Sequence, residues 1–267
     1  MGFTGITIIN GQKADSKAGI RLDQGVNFGK GVFETIDVVG KSPVFLEKHC
    51  ERMKRGLAAL GVANSASEEL LLGYIRDFSI EDCGMKVLVT PENLVVTTRE
   101  NVYATGQYKD GLKVGISRLK RNPHSHVVYH KTLNYTDNIL ENEAAHKAGF
   151  DEVIFANVYD RLAEGSVSNI FFASEGRVFT PAVRCGILDG IVRGWVLDNF
   201  IVEEGEFTLT QLLTAEEVFL TNSLIGVMPV RRIQDKPYTC PGKKCSVIQK
   251  AYREAMGREV EKYTACL

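Results

Sequence analysis

The sequence has no apolar run that approaches the roughly 20 residues of a membrane-spanning helix, and its charge is nearly balanced. It carries 32 Lys and Arg against 33 Asp and Glu, a formal net charge of −1, without a long basic run. This balance does not favour binding to nucleic acid or to an anionic membrane surface. The first residues also lack the basic-then-apolar pattern of a secretory signal. We therefore predict a cytoplasmic protein that binds neither nucleic acid nor a membrane.

Cysteine is present but is not arranged for metal binding. The six cysteines are scattered along the chain: Cys50, Cys83, Cys185, Cys240, Cys245 and Cys266. Only Cys240 and Cys245 lie close together, and a C-x4-C spacing without nearby histidines is a poor zinc signature. We predict reduced thiols, as is usual in the cytoplasm, and no metal site.

What remains is an ordinary globular composition, with 44% hydrophobic and 24% charged residues. The 267 residues suffice for one large domain or two modest ones. Residues 101–111, NVYATGQYKDG, show no hydrophobic period, so we predict a linker there between domains of residues 1–106 and 112–267. Both halves mix strands and helices without regular alternation, which indicates an α/β chain of the α+β type.

Hydrophobic periodicity and turn residues predict the individual elements. In the first half we expect strands at 5–9 and 31–39, helices at 45–60 and 66–78, and a hairpin over 84–100. In the second half we expect a strand at 111–119, a helix at 137–148, three strands over 150–181, a helix beginning after Gly190, a strand broken at Asn222-Ser223, and an amphipathic C-terminal helix. Thr136 or Asp137 is expected to cap the helix at 137–148, and Gly149 to end it.

Two residues stand out for their surroundings. Lys131, in YHKTLNY, lies between aromatic and polar neighbours just before a predicted helix. It is either a solvated loop lysine or an amine set up for chemistry. Glu164, in RLAEGSVSNIFF, lies within a segment heading for the core. It either faces water on an edge strand or pairs with a cation of a ligand, because an unpaired buried carboxylate is costly.

Other segments have the features of anion sites. Gly190 leads directly into a helix, so the amides of Ile191 and Val192 would lie at its positive end. The Ser223 hydroxyl and the Leu224 amide end a strand in a polar turn. Arg52, in HCERMKRG, can bind a phosphate with two donors, although arginines on amphipathic helices commonly face solvent. A lysine for a Schiff base, a carboxylate for a pyridinium nitrogen and these phosphate donors together indicate a pyridoxal-phosphate site.

Six segments in this order resemble the fold-type IV pyridoxal-phosphate enzymes, which include branched-chain aminotransferases, D-amino acid transaminases and aminodeoxychorismate lyases. They are FGKGVFET, LEKHCERM, HKTLNY, EGSVSNIFF, GILDGIVRG and TNSLIGVMPV, and the resemblance covers about residues 5–233. It implies a small-molecule amino substrate, a homodimer, and two domains: a smaller N-terminal α/β domain and a larger C-terminal mixed-sheet pseudo-barrel that binds the cofactor. It also implies a site between the domains.

The resemblance assigns a role to each candidate. Lys131 resembles the lysine that attaches the cofactor and later moves protons, and Glu164 the carboxylate that keeps the pyridine nitrogen protonated. Tyr135 resembles a residue that contacts the cofactor's ring oxygen. The phosphate would be held by the remaining candidates: Arg52, Ile191, Val192, Ser223 and Leu224.

The subfamily that the motifs resemble most is aminodeoxychorismate lyase. Lys86, in GMKVLVT, occupies a position where lyases carry a substrate-facing lysine, and Phe33 replaces a tyrosine of D-amino acid transaminases. A glycine- and arginine-rich loop common in lyases is reduced here to TPEN, which leaves recognition of substrate carboxylates open. A branched-chain or D-amino acid aminotransferase is the alternative, and a non-catalytic binding protein is a remote one.

Overall fold

The computed structural model of the chain describes residues 5–14, 19–101 and 106–264. The chain forms two compact units. Unit 1 contains residues 1–102, 130–134 and 254–267, and unit 2 contains residues 103–129 and 135–253. Among the described residues, no helix combines the length and the apolar character needed to cross a membrane.

Unit 1 is built on one antiparallel sheet, and its elements in chain order are β1 (Thr7–Ile9), β2 (Gln12–Lys13), α1 (Gln24–Phe28), β3 (Val32–Val39), β4 (Ser42–Pro43), α2 (Leu46–Ala59), α3 (Glu68–Asp77), β5 (Cys83–Val89) and β6 (Leu94–Arg99). The strand order is β2-β1-β6-β5-β3-β4. Alternate residues of β3 face the core with α2 and α3, as strand geometry requires, and the core includes Val32, Ile36, Leu46, Met53 and Leu71.

Unit 2 is built on a larger mixed sheet, and its elements are α4 (Gln107–Asp110), β7 (Leu112–Ile116), α5 (Thr136–Lys147), β8 (Glu152–Ala156), β9 (Leu162–Gly165), β10 (Asn169–Ser174), β11 (Arg177–Pro181), a 3-10 turn (Val183–Cys185), α6 (Ile191–Asn199), β12 (Val202–Gly205), α7 (Leu209–Thr214), β13 (Glu217–Asn222), β14 (Gly226–Ile233), β15 (Lys236–Pro237) and α8 (Lys243–Thr264). The strand order is β12-β11-β10-β13-β14-β7-β8-β9, with β15 paired to β14. From Glu254 onward α8 counts with unit 1. The mixed α/β fold with a half-barrel confirms the predicted fold class.

Two expectations about local structure need correction, and one helix was not predicted. The stretch 150–181 forms four strands rather than three, because a turn at 166–168 separates β9 from β10. Helix α5 begins after Tyr135, and no side chain in the described part of the chain caps it, so neither Thr136 nor Asp137 is the cap. Helix α1 was not predicted, although Asp23 caps it by accepting from the amides of Gly25 and Val26.

The predicted linker, 101–111, lies partly outside the described residues, because 102–105 are not among them. Its last part forms the short helix α4. The predicted domain boundary at 106–112 stays a prediction. A single boundary along the chain does not separate the two units. Residues 130–134 lie within the sequence of unit 2 but belong to unit 1, because their backbone pairs with β3.

Candidate active site

The segment around Lys131 is placed by the beginning of β3. Strand β4 pairs only with Val38 and Val39 at the far end of β3, which leaves the edge near Val32 for another partner. The Phe33 amide donates to the Lys131 carbonyl (2.8 Å), and Leu133 donates to the Gly31 carbonyl (3.0 Å). Lys131 is therefore held by a sheet-like backbone pairing and is half-buried, which argues against a freely solvated loop lysine.

Two lysine side chains lie at the same aromatic ring. The Lys131 Nζ is 4.4 Å from the centroid of the buried Phe33 ring, and the Lys86 Nζ is 4.6 Å from it. Lys86 reaches the ring from β5, where it is paired with Thr35. Burial, and then the nearby Arg99, lower the pKa of Lys86. Unit 1 thus brings together three of the predicted site residues.

Arg52 lies in a buried charged cluster with Glu34 and His49. Its Nε and Nη2 donate to the two oxygens of Glu34, both at 2.7 Å, and His49 Nδ1 lies 2.7 Å from Glu34 Oε2. Burial opposes the charge on Glu34, but Arg52 and then His49 outweigh it and leave its pKa below the usual range. Arg52 does not face solvent as an ordinary arginine on an amphipathic helix does, since its side chain is 9% exposed. Its role toward a phosphate stays a prediction.

Glu164 lies on β9 and is buried, which rules out the alternative of an edge glutamate facing water. Its Oε2 accepts from the Leu188 amide at 2.9 Å, and its Oε1 lies 3.4 Å from Arg121 Nη2. The Arg121 guanidinium packs over the Phe155 ring, 4.1 Å from its centroid. A buried carboxylate beside a cation is a candidate functional group, and its role toward a ligand nitrogen stays a prediction.

Tyr135 and Asn138 meet at one carbonyl oxygen of unit 2. The Tyr135 hydroxyl donates to the Ser166 carbonyl at 2.9 Å, and Asn138 Nδ2 donates to the same oxygen at 2.6 Å. Asn138 Oδ1 in turn accepts from Arg121 Nη1 at 3.0 Å. Hydrogen bonds therefore connect Tyr135 to Arg121, and the ion pair of Arg121 with Glu164 completes the connection between the two predicted residues.

The predicted phosphate amides occupy two turns of unit 2. Gly190 is the N-cap of α6, and within residues 106–264 no side chain caps the amides of Ile191 and Val192. A Cβ at Gly190 would lie 1.9 Å from Asn169 Oδ1, so a side chain there would displace the Asn169 amide, which donates to the Leu188 carbonyl at 2.8 Å.

The second turn has a local partner. The Leu224 amide donates to Asn222 Oδ1 at 2.9 Å, and the adjacent Ile225 amide does the same. Binding of a phosphate by Leu224 would thus compete with this bond. The assignment of Ser223 and Leu224 stays a prediction.

Sequence reasoning missed Glu34, His49, Arg121 and Asn138. Glu34 lies on the same face of β3 as the core residues Val32 and Ile36. The argument that an unpaired buried carboxylate is costly, which selected Glu164, would therefore also have selected Glu34. His49 and Arg52 are three residues apart and so share a face of α2. Arg121 and Asn138 showed no comparable pattern.

Comparison with known proteins identifies the family. The model of amino-transferase class IV matches residues 31–233. The chain belongs to the class IV aminotransferases. It is 26% identical to an aminodeoxychorismate lyase of Bacillus subtilis over 92% of this chain and 93% of that protein. It is 30% identical to a probable branched-chain-amino-acid aminotransferase of Aquifex aeolicus over 89% and 87%.

The fold is shared with solved structures. The branched-chain aminotransferase of the archaeon Thermoproteus uzoniensis with norvaline superposes with a TM-score of 0.84 at 23% identity, over 97% of this chain and 97% of that one. Enzymes of the class IV family use pyridoxal phosphate, and the chain is a pyridoxal-phosphate enzyme. The residues present in each unit fit this cofactor: unit 1 supplies a half-buried lysine, and unit 2 supplies a buried carboxylate with its cation and a helix start that no side chain of the described residues caps.

Proposed function

We propose that the chain is a 4-amino-4-deoxychorismate lyase, which forms 4-aminobenzoate and pyruvate for folate synthesis. The observation that carries this proposal is the second cation, Lys86, at the same Phe33 ring as Lys131. The substrate has two carboxylates, one on its ring and one on its enolpyruvyl group, and a lysine is a suitable partner for either. The likeness to the Bacillus subtilis lyase over nearly its whole length supports the same choice.

Each site residue has a proposed role. In unit 1, Lys131 attaches the cofactor covalently, Arg52 binds its phosphate, and Phe33 and Lys86 contact the substrate. In unit 2, Glu164 pairs with the ring nitrogen and Tyr135 with the ring oxygen. The phosphate is also bound by residues of the two turns: Ile191, Val192, Ser223 and Leu224.

When bound, pyridoxal phosphate withdraws electrons from the amine-bearing carbon of the substrate. The Lys131 amine would remove the proton from that ring carbon as a general base. Lys131 then donates a proton to the departing enolpyruvyl oxygen as the carbon–oxygen bond breaks. The departing group is the enol of pyruvate, which tautomerises to pyruvate, and the ring left behind is aromatic. Aromatisation makes the step effectively irreversible.

The reaction is tested with two mixtures. Incubation with aminodeoxychorismate alone should release pyruvate and 4-aminobenzoate in equal amounts. Incubation with leucine, D-alanine or glutamate plus 2-oxoglutarate should give no amino transfer. Transfer in the second mixture with no product in the first would establish the alternative, a branched-chain or D-amino acid aminotransferase, for which the Aquifex aeolicus relative argues.

Lys86→Ala tests the observation behind the choice. The variant should raise KM for aminodeoxychorismate by at least about tenfold, as expected for loss of one charge-assisted contact, with cofactor binding unchanged. Lys86→Arg should recover part of the affinity, because it restores the cation. An unchanged KM in Lys86→Ala would remove Lys86 from the substrate site.

Attachment of the cofactor is tested at Lys131. The wild type should be yellow and should retain the cofactor through denaturation after treatment with borohydride. Lys131→Ala should not, whereas Lys113→Ala, which changes another half-buried lysine, should behave as the wild type. A reducible adduct in Lys131→Ala would remove the assignment.

The assembly and the location are also proposals. Residues 20–28 expose several large apolar side chains, which supports the proposed homodimer: Ile20, Leu22, Val26 and Phe28. Light scattering that shows an active monomer would contradict it. The cysteines of the described residues are all free, which supports the proposed cytoplasmic location.

A further inference from the structure

Glu152, the first residue of β8, is a buried carboxylate that the proposed reaction does not use. It accepts six hydrogen bonds from neutral donors. Three are backbone amides: Val153 (2.8 Å), Ser166 (3.1 Å) and Val167 (3.2 Å). The others are the Ser166 hydroxyl, the Ser168 hydroxyl at 2.8 Å and, at the longer distance of 3.5 Å, Asn142 Nδ2. A buried charge without a cation is tolerated only when donors are aligned on it. The donors come chiefly from one turn, residues 166–168.

The turn at 166–168 is packed tightly around this carboxylate. A Cβ at Gly165 would lie 2.2 Å from Ser168 Oγ and 3.0 Å from Glu152 Oε2, so a side chain at position 165 would displace the Ser168 hydroxyl from this contact. The Gly165 amide also donates to the Ser168 carbonyl at 2.7 Å. Gly165 follows Glu164 directly and is the last residue of β9, so the turn bound to Glu152 begins two residues after Glu164.

The opposite side of the turn points to the candidate cofactor residues. The carbonyl of Ser166, whose amide and hydroxyl bind Glu152, accepts from the Tyr135 hydroxyl and from Asn138 Nδ2. Asn138 continues to Arg121, and Arg121 to Glu164. An unbroken series of polar contacts thus leads from Glu152 to both residues.

We propose that Glu152 is a positioning residue: it fixes the Ser166 carbonyl, and through that oxygen it sets the positions of Tyr135 and Glu164. The proposal rests on the proposed roles of Tyr135 and Glu164 toward the cofactor. Hydrogen bonds to a charged acceptor are stronger than neutral ones, so a carboxylate holds the turn more rigidly than an amide would. Glu152 itself touches neither cofactor nor substrate in this scheme.

The network is tested first without reference to the cofactor. In the Glu152→Gln variant of the full chain, hydrogen exchange of the Ser166 and Val167 amides should accelerate at least about tenfold, the effect of losing one charge-assisted bond. The chain has 9 tyrosines, so the 19F resonance of Tyr135 in fluorotyrosine-labelled protein would be assigned with Tyr135→Phe. That resonance should shift in Glu152→Gln.

The matched control is Glu217→Gln. Glu217 is also a buried carboxylate of unit 2, and it accepts from the Lys244 and Cys245 amides at the beginning of α8. Replacing this carboxylate should lower the free energy of unfolding. Hydrogen exchange of the amides at 166–167 and the 19F resonance of Tyr135 should stay as in the wild type. Equal changes in both variants would mean that the effect is general loosening, and would overturn the proposal.

The second test uses the loaded enzyme and the pH titration of its visible absorbance band. Glu152→Gln should move the midpoint of this titration, because Tyr135 and Glu164 are proposed to contact the chromophore, and Glu217→Gln should leave it unchanged. If hydrogen exchange at 166–167 accelerates in Glu152→Gln but the midpoint of the absorbance titration does not move, Glu152 stabilises the turn without positioning Tyr135 and Glu164. That result would overturn the proposal. A wild type that binds no cofactor would instead contradict the proposed function, while the exchange and 19F results would still report on the network.

If Glu152→Gln does not fold, Ser168→Ala takes its place. This variant removes only the hydroxyl that donates to Glu152 Oε2 and keeps the Ser168 carbonyl. The same three changes are expected with smaller amplitude. A folded Ser168→Ala that matches the wild type in exchange, resonance and midpoint would overturn the proposal.

Discussion

Glu34 in unit 1 and Glu152 in unit 2 are both buried carboxylates beside candidate site residues, but different donors hold them. Glu34 is bound by cationic Arg52 through two hydrogen bonds and by His49. Glu152 is bound by amides and hydroxyls. The first arrangement joins side chains on β3 and α2, and the second shapes a backbone turn. The comparison shows that an ion pair orients a side chain, whereas neutral donors around a carboxylate set the path of the chain.

The largest expected effect is that of Glu34→Gln. It leaves the buried Arg52 without its counter-charge, which should lower the free energy of unfolding by about 3–5 kcal/mol. Denaturant unfolding measures it. Glu47→Gln, which changes an exposed glutamate of α2, is the control and should have little effect. A loss in Glu34→Gln as small as that of the control would mean that Arg52 finds another partner.

Glu152→Gln should have an intermediate effect on stability. Its partners are neutral, so no opposite charge is left uncompensated, and the loss should be about 1–3 kcal/mol. The same unfolding measurement gives the value. A loss equal to or greater than that of Glu34→Gln would break the distinction between the two kinds of donor.

Two aspartates of unit 1 extend the comparison to pH. Burial raises the pKa of Asp37 to about 6, aided by nearby Asp82 and opposed by Asn101. Burial also disfavours the charge on Asp23, but the hydrogen bonds from the Thr90 hydroxyl and from backbone amides outweigh it and lower its pKa to about 2. The hydrogen-bond donors that lie close to a buried carboxylate therefore decide whether its pKa is raised or lowered.

Asp37→Asn should consequently change the pH dependence of stability. The contribution of Asp37 is fully present below its unfolded pKa near 3.8 and is lost as pH rises through about 6. The wild type should thus lose about 1–3 kcal/mol relative to the variant between pH 4 and pH 7. Asp23→Asn should show the opposite pH dependence: the contribution of Asp23 to the free energy of unfolding of the wild type is lost as pH falls through about 2. Parallel curves for Asp37→Asn and wild type would contradict the raised pKa.

The smallest effect is expected at an exposed ion pair of unit 1, Lys262 with Glu47 at 3.6 Å. Both side chains are half exposed or more, so water screens the pair. Lys262→Met should change the free energy of unfolding by less than about 1 kcal/mol, and salt should reduce even that. A larger, salt-independent loss would show that exposure alone does not separate this pair from Glu34 and Arg52.

Sequence patterns located most elements and selected the residues proposed for the candidate site. The periods of 2 and 3.6 identified β3, α2 and the hairpin of β5 and β6, because the apolar residues of these elements face one core. The turn at 166–168 was missed, since GSVSN lacks a strong turn pattern and is held by the distant Glu152. The absent cap on α5 was missed for a related reason: Tyr135 at that position bonds to Ser166 instead.

By itself the sequence selected the candidate residues and predicted the elements that hold them: Lys131 before a helix, Glu164 on a strand, and Gly190 at a helix start. These are properties of neighbouring residues, and local geometry is sufficient to infer them. Only the tertiary structure decided that Lys131 pairs with β3, that Arg52 is bound by Glu34, and that Glu164 has Arg121 as its cation. Each of these contacts joins residues far apart in the chain, so it depends on strand register and packing that one-dimensional patterns do not encode.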